Sequence, residues 1–205
     1  MIVKICGITR PEDAQLAVAL GATHIGVICW PASPRFVAPD TAATIVAAVE
    51  GRARTVGVFV DEAPGRMNEV AETAGFDLLQ LHGHEAPEVA SSLARPYIKA
   101  LAVGPDLEDG LARWPGVPVL LDAHDPVRRG GTGVVVDWDR AAEVARRRSV
   151  ILAGGLRPEN VADALLRVKP AGVDVSSGVE SAPGVKDGER LRALFDAIRR
   201  VEELS

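Results

Sequence analysis

Cys6 stands in the stretch IVKICGIT, directly after a short apolar run and directly before Gly7. A cysteine so placed is a small packing residue or, where its thiolate is populated, a base or nucleophile. A free thiol titrates near about 8.5, so only a few per cent is thiolate at neutral pH. A nearby cation or dipole raises that fraction. Asp122, in VLLDAHD, is a carboxylate at the mouth of an apolar run. Partial burial there would hold its proton and let it act as a general acid; the same residue reads equally well as a turn former or helix cap. Asp125 is a weaker candidate, because Asp-Pro makes turns. Cys29, in HIGVICW, reads as an inert packing residue.

Two further stretches, LAGGL and DVSSGVE, put Gly154, Gly155, Ser176, Ser177 and Gly178 straight after apolar runs. Glycine lets backbone N–H groups approach a ligand, and a short helix start adds a favourable dipole. One such turn would be only a tight connection; two together read as a phosphate cradle. Arg35, in SPRF, could fork onto a carboxylate or be a solvated loop residue. His82, in QLHG, could stack on or hydrogen-bond to a ligand, or pack in a turn. His24 begins a strand pattern and belongs on the opposite rim, which argues against a zinc site built from Cys6, Cys29, His24 and His82. The two cysteines make neither a disulfide framework nor a CxxC-type metal spacing.

These residues need elements to carry them. Strand patterns begin at Ile2, His24, Thr55, Asp77, Tyr97, Val117, Ser149 and Gly172, and most are continuous Val, Ile and Leu runs rather than alternating ones. Such runs fit a parallel sheet covered on both faces. Helical patterns lie between them. One opens at Pro11 and stops near Gly21; one has Asp40 or Thr41 as its cap and ends at Gly51; one ends at Gly75; one opens at Pro158 and Glu159. The last, roughly 189–203, places Leu191, Leu194, Phe195, Ile198 and Val201 on one face. Eight βα units in series predict a single (β/α)₈ TIM barrel over residues 1–205, with an open doubly wound sheet as the alternative. In a barrel the strand ends gather on one rim. Cys6, Arg35, Asp61, His82, Asp122, Gly154, Gly155 and the Ser-Ser-Gly turn would then share it.

The bulk composition is that of a soluble globular protein: 205 residues, 47% hydrophobic, 25% charged, formal net charge −5. That charge argues against a nucleic-acid partner. No charged N-terminal segment precedes an apolar run, and no run reaches the length of a membrane span, so the expectation is a cytoplasmic protein acting on a small phosphorylated molecule. The basic residues are mostly Arg, with Lys only at Lys4, Lys99, Lys169 and Lys186.

The motifs KICGIT, QLHG, LLD, GGTG…DW, GGLRPENV and DVSSGVE…PGVKD occur in one order. In that order the chain resembles the phosphoribosylanthranilate isomerase family of tryptophan biosynthesis, from Lys4 to Asp187. The resemblance implies a (β/α)₈ barrel without metal or organic cofactor and an Amadori rearrangement of N-(5-phosphoribosyl)anthranilate. It implies Cys6 as general base, Asp122 as general acid, and Arg35 on the anthranilate carboxylate. It places Gly154, Gly155, Ser177 and Gly178 at the phosphate and Asp174 near the sugar. It also leads to the expectation that helix dipoles or loop N–H groups near Cys6 favour its thiolate. The stretch VVV at 134–136 departs from the family pattern. Two rivals stand beside this reading. A bifunctional isomerase of the histidine pathway is disfavoured by Cys6, because those barrels use aspartate there. A barrel that only binds a phosphosugar would not need both Cys6 and Asp122.

Overall fold

The computed structural model describes residues 1–123 and 136–203. The apolar runs form eight parallel strands: β1 (Ile2–Ile5), β2 (His24–Ile28), β3 (Arg54–Phe59), β4 (Leu78–Leu81), β5 (Tyr97–Val103), β6 (Val119–Ala123), β7 (Val150–Leu152) and β8 (Gly172–Val175). Each pairs with the next, and β8 returns to β1 in the register Lys4 opposite Asp174 and Ile5 opposite Val175. The sheet is therefore a closed barrel, not an open doubly wound sheet.

Alternation along each strand divides the core in two. Ile98, Ala100, Leu120, Ile151 and Ala153, with Ile2 against them, form a small cluster of one parity inside the barrel. Residues of the other parity, such as Ile5, Ile25, Leu79, Leu121 and Val173, pack outward with the helices in the larger cluster. The inward parity changes character on approaching the C-terminal rim. On β1 it runs Ile2, Lys4, Cys6; on β4, Leu78, Gln80, His82; on β6, Leu120, Asp122; on β8, Gly172, Asp174, Ser176. The interior is apolar at one end and polar at the other.

Among the described residues, seven helices cover the outside: α1 (Pro11–Leu20), α2 (Pro39–Val49), α3 (Pro64–Ala74), α4 (Leu107–Arg113), α5 (Trp138–Ala145), α6 (Val161–Val168) and α7 (Gly188–Glu202). Proline occupies the first turn of α1, α2 and α3, where its missing N–H costs no hydrogen bond. The N-cap of α2 is Ala38, not Asp40 or Thr41. Helix α6 starts at Val161 rather than Pro158, because Asn160 holds the preceding turn: its Oδ1 accepts from Arg157 N–H at 2.8 Å and its Nδ2 donates to Gly155 O at 3.0 Å. Between β4 and β5 there is only a 3₁₀ turn, Pro87–Ser92; the interval holds Pro87, two serines and Pro96, too little to sustain an α-helix. Helices α4 and α5 are short, seven and eight residues, and bury only Leu107 and the pair Ala141 and Val144, too little apolar sequence to stand out.

A small antiparallel hairpin, β9 (Glu180–Ala182) and β10 (Val185–Lys186), leaves the barrel after β8. Its signal was legible: Pro183-Gly184 between short strand-like flanks is a two-residue turn, and Gly184 has the φ of +81° that such a turn needs.

Candidate active site

The rim is assembled from the inward parity. Cys6 follows β1, is 6% exposed, and donates its backbone N–H to Val175 O at 2.9 Å. Asp122 lies one residue short of the end of β6, and its Oδ1 accepts from Ala123 N–H at 2.8 Å. Strand register brings Cys6 and Asp122 to inward positions at one rim. His82 belongs to the same ring of residues. Its Nε2 lies 3.3 Å from Asp122 Oδ2, and its Nδ1 is 2.8 Å from Gln80 Nε2. With the amide as donor, Nδ1 accepts and Nε2 carries the proton that faces Asp122. His82 is thus first a partner of Asp122, a role its sequence context did not suggest. Asp125 and all of the 130–137 loop except Val136 and Asp137 lie outside the described residues. Val136 itself is buried against Gly154.

Lys4 is completely buried, two residues below Cys6 on the same face. Its Nζ donates to Asp174 Oδ1 at 2.9 Å, the cross-strand neighbour set by the β1–β8 register. Opposite them β2 contributes Gly26. A Cβ there would stand 2.9 Å from Cys6 Sγ and 3.0 Å from Lys4 Nζ, so the absent side chain is the space that thiol and ammonium occupy. Burial pushes the Cys6 thiol above its ordinary value; Lys4 and, more weakly, Lys186 pull it back without overcoming burial, and Asp174 adds to the rise. The favourable charges near the sulfur include the ammonium groups of Lys4 and Lys186, which the sequence alone did not single out. Burial works against the Lys4 ammonium too, yet Asp174 and Cys6 outweigh it and its pKa lies above the usual lysine value. Cys29 is half-buried and its thiol is pushed up to about 12 by burial, in keeping with a packing role.

Arg35 reaches the rim from the β2–α2 loop and is itself buried. Its Nε lies 2.9 and 3.1 Å from the two Glu180 oxygens, and its Nη2 2.7 Å from Oε2. The fork expected to be open for a ligand carboxylate is filled by Glu180, leaving Nη1 outside that pair. Glu180 Oε1 also accepts from Lys186 Nζ at 2.8 Å, and Lys186 donates to Cys6 O at 2.6 Å and Ser176 O at 3.2 Å. Burial raises the Glu180 carboxyl, but Arg35 and Lys186 together hold it below the usual carboxylate range. The β9–β10 hairpin thereby ties Arg35, the end of β1 and the end of β8 into one unit. A second buried pair braces the His82 loop: Lys99 Nζ donates to Glu85 Oε2 and to Gly83 O, each at 2.7 Å, while Glu85 accepts the N–H groups of Gly83 and Asp61.

On the far side two turns meet. Gly154 and Gly155 have φ of +82° and +65°. A Cβ on Gly154 would press on Ala123 and Val136, and one on Gly178 would stand 2.0 Å from Leu156 O. The Gly-Gly-Leu and Ser-Ser-Gly turns are therefore in direct contact, and only glycine fits between them. Ser177 opens a one-turn 3₁₀ helix, Ser177–Val179.

A thiol, a carboxyl group, an arginine and a paired glycine turn at the mouth of a closed barrel could support acid–base chemistry on a phosphorylated molecule. The model of the N-(5'-phosphoribosyl)anthranilate (PRA) isomerase family matches residues 3–197. The chain belongs to this family. Its relatives include the N-(5'-phosphoribosyl)anthranilate isomerases of Geobacter sulfurreducens, 46% identical over 195 residues (94% of this chain, 96% of that one), and of Pelobacter propionicus, 45% identical over 194 (94% and 93%). Among solved structures of the family, phosphoribosyl anthranilate isomerase from Thermus thermophilus superimposes with a TM-score of 0.89 at 42% identity, covering 98% of this chain and 100% of that one. Another family member, 36% identical with a TM-score of 0.87 and covering 98% and 100%, was solved with reduced 1-(o-carboxyphenylamino)-1-deoxyribulose 5-phosphate.

The residues that sequence reasoning passed over are Lys4, Glu180, Lys186, Glu85 and Lys99. One signal pointed at three of them. Lysine is scarce in this Arg-rich chain, and three of its four lysines (Lys4, Lys99, Lys186) are buried in ion pairs.

Proposed function

We propose that the chain catalyses the Amadori rearrangement of N-(5-phosphoribosyl)anthranilate to 1-(o-carboxyphenylamino)-1-deoxyribulose 5-phosphate in tryptophan biosynthesis, as a cytoplasmic single-domain enzyme. The observation that carries this reading is the arrival of Cys6 and Asp122 on inward positions of one rim, beside the Gly154–Gly178 turns. Asp122 protonates the furanose ring oxygen. The C1–O bond breaks, and the amine lone pair forms the C1=N iminium. The Cys6 thiolate then takes the proton from C2; that C–H pair becomes the C1=C2 bond and the iminium electrons return to nitrogen. The enolamine tautomerises to the ketone. The iminium is the electron sink, so the chemistry calls for no metal or organic cofactor.

Each acid or base is worth about 10²–10⁴-fold. The rest is positioning: Gly154, Gly155, Ser177 and Gly178 hold the phosphate, Arg35 presents Nη1 toward the anthranilate carboxylate, and Asp174 lies by the sugar. His82 adjoins the substrate and shares its proton with Asp122. The test is turnover of the substrate by fluorescence. Cys6→Ala and Asp122→Ala each lower kcat by at least about 100-fold, with modest change in ligand affinity. Near-normal turnover in Cys6→Ala removes it as the base. Loss-free turnover in both leaves a barrel whose chemistry lies elsewhere, and no turnover in the wild type leaves a phosphosugar-binding barrel.

A further inference from the structure

We propose that Lys4 is a positioning residue for catalysis: its buried ammonium, anchored by Asp174, is the counter-cation of the Cys6 thiolate, the two meeting in the space left by Gly26. This rests on the reading of Cys6 as the base.

Three features carry it. The first is the donor inventory. An ammonium has three N–H groups. Those of Lys186 are filled, by Cys6 O, Ser176 O and Glu180 Oε1. Lys4, completely buried, gives one to Asp174 Oδ1, its single oxygen acceptor among the described residues, and its other acid neighbour is Cys6. A buried ammonium with donors to spare is costly unless a further acceptor completes it, and a thiolate would be that acceptor. The second is the space. Sγ and Nζ both lie within 3.0 Å of the point where a Gly26 Cβ would be, so β2 excludes any side chain that could separate them.

The third is charge. The groups facing Cys6 are Lys4 on its own strand, Asp174 on β8, Lys186 on β10 and Arg35 from the β2–α2 loop. Glu180 is shared by Arg35 and Lys186, and His24 on β2 faces Lys4 from the other end. Buried Asp13, which accepts from Lys186 N–H, is held by Arg10; with that pair included, cations (Lys4, Arg10, Arg35, Lys186) outnumber carboxylates (Asp13, Asp174, Glu180) by one, four against three. A thiolate at Cys6 brings the cluster to neutrality; a thiol leaves it positive.

The proposal gives two neighbouring substitutions opposite effects, which a purely structural role for the ion pair would not do. The readout is the ultraviolet absorbance of the thiolate against pH in the free enzyme, taken as the difference from Cys6→Ala. Lys4→Met raises the titration midpoint by at least about one pH unit, tenfold less thiolate at fixed pH. Asp174→Asn, which removes the competing carboxylate, lowers it. In Lys4→Met kcat falls and recovers at alkaline pH, because the base itself remains. Unchanged midpoints in both variants, with only a loss of melting temperature, overturn the proposal. If Lys4→Met does not fold, Asp174→Asn decides alone: a lowered midpoint supports the pair, and an unchanged or raised one overturns it. Failure of the base reading is separate, since it appears as turnover surviving in Cys6→Ala whatever the titrations give.

Discussion

Cys6 carries opposing demands. On the proposed mechanism, burial in the barrel mouth shields the reaction from water and at the same time disfavours the anion that would perform it. Lys4 and Lys186 offset part of that cost, and the thiol still titrates above its ordinary value. The sign for activity follows. The base must be deprotonated, so kcat/KM of the free enzyme rises with pH through neutrality and into the alkaline range, following the thiolate fraction. A profile already flat at neutral pH would place the working base elsewhere. Asp122 keeps a partner, His82, and a hydrogen bond from Ala123 N–H, both at the rim.

The β9–β10 hairpin turns a carboxylate into a joint. Glu180 accepts from Arg35, Lys186 and Gly184 N–H, while Lys186 grips the Cys6 and Ser176 carbonyls just past the ends of β1 and β8. Thr9 closes the hairpin from the β1–α1 loop, donating to Gly184 O at 2.6 Å. Glu180→Ala leaves two buried cations without their shared partner and lowers the unfolding free energy by about 3–5 kcal/mol in urea denaturation, the range for breaking a buried pair from one side. Because the folded Glu180 carboxyl titrates below its unfolded value, its contribution is present above the unfolded pKa and is lost as pH falls through the folded one. Glu180→Gln flattens that part of the acid limb.

Closing the sheet gives the molecule one polar mouth and one apolar floor, and an anion bound at the mouth stabilises the fold by linkage. Inorganic phosphate at about a hundred times its Kd contributes about 2.7 kcal/mol, which for a chain of 205 residues raises Tm by about 5–10 °C. Gly178→Ala drives a methyl group into Leu156 O, parts the two turns, and abolishes that rise in differential scanning calorimetry. A Tm gain that survives in Gly178→Ala would mean the anion sits on other groups. Among the described residues no helix is long and apolar enough to cross a membrane, and the apolar faces of the helices are spent against the barrel.

The strands, the long helices and the rim residues were legible in the chain because each leaves a local mark. Doubly covered strands read as unbroken Val and Ile runs, α1 to α3 open with proline, and the Gly-Gly-Leu and Ser-Ser-Gly turns interrupt apolar stretches. What spacing could not express was partnership across distant segments. Lys4 meets Asp174 because β8 closes on β1; Glu180 meets Arg35 because a hairpin folds back over the β2–α2 loop. Those pairs join residues 170 and 145 positions apart, and burial, not sequence, determines that a lysine two places before the cysteine is held dry beside it. Residue types fix which reactions are available here; closure of the barrel fixes which charges are desolvated together, and so whether the thiol can become a base.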